Sequence, residues 1–273
     1  KVSAQDRLNP HVSQRETVFI YPRVEDPQVG NADTIFIDVT GPAFPLHPSD
    51  LHAEIMEWMN SGFGVAAASD GYLLLSRNAT STTFPPSFYT AWQSQPSEND
   101  ERFQRVNVQF GDIMELAGVR VYRDRYGELV TEMKWRLLGE HERDLTVYVA
   151  YLDRDGQPLH TTEFYPLPAT LWYPTSLWTL DGRIPNGPTD GASQALNSGA
   201  AGNDSSPADV SSDGLRDTSP GDSEGTYNVT TLPWTLQSES FTLAVGLFYS
   251  DSGPEWHTAE RLMVQSERVV DLI

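Results

Sequence analysis

The run Leu145-Thr146-Val147-Tyr148-Val149-Ala150-Tyr151-Leu152, then Asp153-Arg154-Asp155-Gly156, then a second apolar run from Leu159 to Tyr165, decides how most of this chain folds. Two short runs of β-forming residues around an Asp/Gly cluster predict a hairpin, because aspartate and glycine accept turn backbone that β-branched residues resist. The pattern recurs on both sides. Ile113–Tyr122 and Leu129–Leu138 flank a turn at Asp124–Gly127, and Phe241–Tyr249 and Arg261–Val264 follow further on. Regular short strands with no helical period predict an antiparallel β-sandwich, Ig-like or jelly-roll-like, over residues 106–273. Trp135, inside Met133-Lys134-Trp135-Arg136-Leu137, is expected in its core. The stretch 181–225 is rich in Gly, Ser, Asp, Asn and Pro. Its apolar content is too low to offset the entropy of ordering, so it is expected to be a flexible insert.

Upstream the grammar changes. Residues 1–92 read as a small α/β domain, which makes the whole chain α+β. Asp33–Val39 is a short β-rich apolar run, and Val18–Tyr21 is a second strand candidate. A helix is predicted from Asp50 to Ser61, with Leu51, Ile55, Trp58 and Met59 on one face. Ser49 is placed to cap it and Gly62 to end it. Gly64–Ala68 and Tyr72–Ser76 then form a hairpin about Ser69-Asp70-Gly71. Residues 93–105 are polar and aperiodic and read as a linker.

The chain carries 38 acidic and 18 basic side chains, a formal net charge of −20. Such a surface repels nucleic-acid phosphates and anionic lipid headgroups, so no nucleic-acid partner is expected. With no cysteine in its 273 residues, disulfides, thiolate metal sites and a cysteine nucleophile are excluded. No apolar run approaches the roughly 20 residues of a membrane-spanning helix. Lys1–Gln5 reads as neither a signal peptide nor an initiator start, so targeting information is expected upstream, in a longer protein.

The most distinctive polar stretch holds Gln5, His11 and Arg15 within Ser3-Ala4-Gln5, Asn9-Pro10-His11 and Ser13-Gln14-Arg15. These side chains either contact an anionic ligand, such as a lipid-linked phosphate, or tie an irregular segment to a sheet. Asp153 and Asp155 resemble the opening of a calcium loop, but the next alternate position offers no ligand, and a plain turn explains them. Aspartates 204, 209, 213 and 222 have no ligand spacing and read as solvated charge. No cofactor is expected. Among so many carboxylates no pair is singled out for glycoside hydrolysis, and neither a Gly-x-Ser-x-Gly elbow nor a phosphate-cradling glycine loop is present. Trp172, Tyr173 and Trp178 lie in a Pro-containing loop, and Trp234 and Trp256 flank strands. Such rings either stack on sugars at the surface or plug the end of the sandwich.

Val2-Ser3-Ala4-Gln5, Pro10-His11-Val12-Ser13-Gln14-Arg15 and Ala32-Asp33-Thr34-Ile35-Phe36-Ile37-Asp38, followed by Gly62-Phe63-Gly64-Val65 and Asp70-Gly71-Tyr72-Leu73-Leu74-Leu75, resemble the soluble tail of a bacterial family. That family, domain of unknown function 2079, comprises multi-spanning membrane proteins similar to GT-C-type glycosyltransferases. The resemblance covers about the first 92 residues. From Met133-Lys134-Trp135 through Leu243–Tyr249 the chain resembles a β-sandwich appended to membrane glycosyltransferases of this type, with the long insert as a departure. The resemblance implies an extracytoplasmic region tethered to the membrane, with the transmembrane portion of the same polypeptide as its partner. The parent would transfer sugar from a polyprenyl-phosphate donor, using a catalytic acid in a loop that this chain does not contain. The expected role is therefore accessory and non-catalytic. A carbohydrate-binding sandwich and a free-standing glycoside hydrolase with an acidic pair are the alternatives.

Overall fold

The computed structural model describes residues 1–94, 102–124, 127–163, 165–184, 225–232, 236 and 240–249, together with the backbone of 270–272. In the first unit the elements run β1 (Val2–Ala4), α1 (Asn9–Val12), β2 (Val18–Ile20), β3 (Thr34–Asp38), α2 (Pro48–Asn60), β4 (Gly64–Ser69), β5 (Tyr72–Ser76) and α3 (Pro86–Tyr89). They build a sheet in the order β2-β1-β3-β5-β4. β1 pairs in parallel with both β2 and β3, while β5 runs antiparallel to β3 and β4. The chain leaves β1 for one neighbour and later returns to its other side, so the crevice beyond the carboxyl end of β1 is a topological switch point.

Alternation dictates which residues face which layer. Ile35 and Ile37 of β3, with Leu73 and Leu75 of β5, are buried with Leu51, Ile55 and Met59 of α2. On the opposite face Val2 and Ala4 pack with Leu8, Val12 and Phe36. The helix begins earlier than the sequence suggests. Pro48 takes the first helical position, where its missing N–H costs nothing, and the His47 imidazole Nδ1 accepts the Ser49 N–H at 3.3 Å. Ser49 is thus inside the helix and is not its cap. Gly62 ends it at φ +103°. The β4–β5 hairpin turns at Asp70 and Gly71, both at positive φ.

The second unit runs β6 (Gln104–Phe110), β7 (Met114–Arg123), β8 (Leu129–Leu137), β9 (Leu145–Leu152), β10 (Pro158–Thr161), α4 (Pro168–Trp172), β11 (Thr226–Thr231), β12 (Phe241–Tyr249) and β13 (Val270–Leu272). One sheet has the order β11-β8-β7-β6 and the other β10-β9-β12-β13, and every pairing in them is antiparallel. Met133 and Trp135 of β8 share a core with Val147, Val149 and Tyr151 of β9. The Tyr151 hydroxyl crosses between the sheets to donate to Thr131 Oγ1 at 2.8 Å. The chain is α+β, with an antiparallel sandwich following the α/β unit.

Several boundaries differ from expectation, among them that of β10, which ends at Thr161 where the run was expected to reach Tyr165. Gln104 and Arg105, assigned to the linker, are the first residues of β6. At the other end of that segment, Gln93 bridges to Tyr227 and the Ser94 N–H donates to the Thr226 carbonyl at 2.9 Å. Polar composition hid both contacts, because edge-strand backbone pairs regardless of side chain. β11 was not singled out either, since Thr226–Thr231 carries two apolar residues only. Of the insert, residues 185–224 lie outside the described residues, as do linker residues 95–101 and the expected strand Arg261–Val264.

Candidate functional site

The two units meet in a wall of aromatic rings. Trp172 packs edge-on against His52 of α2 at 4.6 Å and against Phe84 and Phe88 at 6.0 Å. Tyr173 lies 4.8 Å from Tyr89 and 5.9 Å from Tyr227, and Trp178 stacks on Tyr227 at 4.3 Å. The polar ends of these rings are satisfied inside. Trp178 Nε1 donates to the Tyr173 carbonyl at 3.0 Å, and the Tyr227 hydroxyl donates to the Thr179 carbonyl at 2.8 Å. Burial lowers the pKa of His52 and raises those of Tyr89 and Tyr173.

Trp172, Tyr173 and Trp178 are thus at most 4 % exposed. Of the two readings of these rings, the buried plug holds and the exposed sugar-stacking surface does not: Trp172 is covered by the α/β unit, Tyr173 lies between Tyr89 of that unit and Tyr227, and Trp178 stacks on Tyr227 of the sandwich. They plug the sandwich end, and the plug is shared with the neighbouring unit. Trp234 and Trp256 lie outside the described residues.

A cleft of about 240 Å³ opens at the seam, lined by Gln5, Asp6, Arg7, Pro42, Phe44 and Glu128. Its floor is the switch point beyond β1 and β3, and its far wall comes from the β7–β8 hairpin of the sandwich. Ligand sites concentrate at both kinds of location. Gln5 is 6 % exposed, and its Oε1 accepts the Asp38 backbone N–H at 2.8 Å. A backbone N–H only donates, so the remaining amide atom is Nε2, a donor. That Nε2 is buried with no hydrogen-bond partner. Arg7 reaches Glu128 at 3.8 Å across the seam. Gly41 makes room for it, since a Cβ there would sit 3.0 Å from Arg7 Nη1 and 3.4 Å from Asp38 Oδ2. Asp38 Oδ1 is occupied by the Thr40 N–H at 3.0 Å and hydroxyl at 2.6 Å, which holds the β3 loop in place. Phe44 is 69 % exposed at the mouth.

Of the polar trio expected in the first segment, only Gln5 lines this cleft. His11 lies exposed on α1 and Arg15 exposed just beyond it. Asp153 Oδ1 accepts the N–H groups of Asp155 at 2.9 Å and Gln157 at 2.8 Å, the signature of a turn that uses its own aspartate. Among the described residues no group of three His, Cys, Asp or Glu is placed to hold a metal. None of their helices is long and apolar enough to cross a membrane. Asp6, Arg7, Phe44 and Glu128 were missed by sequence reasoning, because no local pattern links residues brought together from three separate segments of the chain.

No family model matches the chain, and no curated protein and no solved structure matches it.

Proposed function

We propose that this chain is a non-catalytic, extracytoplasmic accessory region that positions an acceptor for a membrane glycosyltransferase, with the transmembrane portion of the same polypeptide as its partner. The observation that supports this reading is the aromatic junction. It joins an α/β unit and a sandwich through one contiguous core. A cleft whose walls come from both units then holds whatever it binds at a fixed angle to each. The resemblance of the first 92 residues supplies the enzymatic context. The sandwich-platform alternative has lost three of its rings to burial. For the hydrolase alternative, a general acid needs a raised carboxyl pKa. Among the described residues the shifted carboxyls, Asp33 and Asp181, are both exposed and both lowered, by hydrogen bonds from the N-terminal ammonium and from the Arg183 backbone respectively.

The test has two arms. The 273-residue chain is assayed with chromogenic glycosides and phosphate esters, and the parent membrane protein is assayed for transfer from a polyprenyl-phosphate sugar with and without this region. The expected result is no turnover by the chain and weakened transfer on deletion. Enzyme-like turnover by the isolated chain overturns the reading, as does full transfer by the deleted protein.

A further inference from the structure

We propose that the junction between the two units is a pH-sensitive latch. His47 and His52 at the start of α2, with His160 of β10, hold it closed as neutral imidazoles, and protonating them parts the units before either one unfolds. The inference concerns the junction alone and goes beyond the accessory role proposed above.

All three rings are part-buried where the units meet. His47 lies edge-on to Tyr165 of the sandwich at 5.0 Å, and His52 edge-on to Trp172 at 4.6 Å. His160 lines a narrow cavity with Thr40, Pro48 and Tyr165, and so faces the start of α2 from the other unit. A proton opposes the closed state at each. His47 Nδ1 accepts the Ser49 N–H at 3.3 Å, and a protonated ring nitrogen cannot accept. Its charge would also sit at the positive end of the α2 dipole. His52 would bring charge against Trp172, a ring that also touches Phe84 and Phe88. Burial lowers the pKa of His52 and of His160, because a charged ring there loses hydration that an open junction restores. The groups that face these imidazoles across the junction are aromatic, Tyr165 at His47 and Trp172 at His52, and Tyr151 of β9 lies 5.8 Å from His160. The charged groups of α2 are Asp50, Glu54 and Glu57, and Glu54 accepts the Tyr21 hydroxyl at 3.0 Å. Asp38 at the end of β3 holds Thr40, and Glu163 after β10 acts on Tyr148. The open state binds these protons more readily, so opening takes up protons as pH falls below about 6.5.

The test follows the 273-residue chain from about pH 7.5 to about pH 5.5, across the usual histidine value. Small-angle X-ray scattering reads the radius of gyration, an apolar fluorescent dye reads exposure of the aromatic wall, and far-ultraviolet circular dichroism reads the strands and helices. The radius and dye binding are expected to rise while the dichroism holds. Each imidazole raises the opening constant by up to about tenfold per pH unit below its closed-state pKa. In the His47→Asn, His52→Phe double variant, asparagine keeps a cap for α2 and phenylalanine keeps a ring against Trp172, and neither titrates. At about pH 5.5 it is expected to open about tenfold less than the parent. The proposal is overturned if the parent shows no rise in radius or dye binding, if its dichroism is lost in step with them, or if the double variant opens as the parent does. The deletion assay on the full membrane protein is unaffected by these outcomes, so the two readings fail separately.

Discussion

Replacing Trp172 with alanine separates a structural junction from a recognition platform. Its ring is 4 % exposed and touches His52, Phe84 and Phe88 from the other unit. Burying about 200 Å² of tryptophan at about 25 cal/mol/Å² is worth about 5 kcal/mol. Measured truncations of buried tryptophan or phenylalanine cost about 3–5 kcal/mol, so a loss of about 4 kcal/mol is expected. That is a large fraction of the roughly 5–15 kcal/mol that holds a domain together. The loss falls at the seam, so its effect on cooperativity is as informative as its size. Urea unfolding followed by tryptophan fluorescence and by far-ultraviolet circular dichroism should give coincident transitions for the parent. For Trp172→Ala, an earlier transition should split into two as the units uncouple. A loss under about 1 kcal/mol, or separate transitions in the parent protein, would refute the account of the junction.

Acidification should also loosen the fold. Burial lowers the pKa of His52, His141 and His160, so below the usual value of about 6.5 the unfolded chain takes up protons more readily than the folded one. Their contribution is therefore complete above about pH 6.5 and is lost as pH falls through the folded values, and urea midpoints across that window check the slope. In the sandwich, Arg136 Nε donates to Glu115 Oε2 at 2.9 Å, and Glu115 is 4 % exposed. Arg136→Ala should cost about 3 kcal/mol by stranding that carboxylate, and Arg136→Met combined with Glu115→Leu should recover most of it on denaturation. Gly71 sits at φ +74°, and a Cβ there would come within 2.2 Å of Thr40 Cγ2. Gly71→Ala should cost at least about 1–2 kcal/mol by thermal unfolding, with the β3 loop and the cleft disturbed together.

The elements with strong local period were legible. β9 and β12 have the bounds that alternation predicts, and the buried face of α2 is the one drawn from its spacing. β1 was not legible, although the cleft is built at its carboxyl end. It spans Val2–Ala4 only, too short for alternation to register, and it is held by pairing with strands that follow much later. β6 and β11 escaped for a related reason: their backbone ladders form whatever the polar side chains at their surfaces. The candidate site divides the same way. Gln5 stood out as a polar residue in an aperiodic stretch, but its partner Asp38 ends strand β3 and the opposing Glu128 lies just before β8, far along the chain.

Composition and periodicity settled the α+β class, the hairpins, the acidic surface and the exclusion of cysteine chemistry, because each follows from residues adjacent in sequence or from simple counts. Whether Trp172, Tyr173 and Trp178 face solvent or a neighbouring unit was decided by the tertiary structure alone. So was the meeting of Gln5, Arg7, Phe44 and Glu128 around one cleft. Exposure and proximity are properties of what packs over a residue. That is set by the sum of many weak long-range contacts, and no local pattern encodes it.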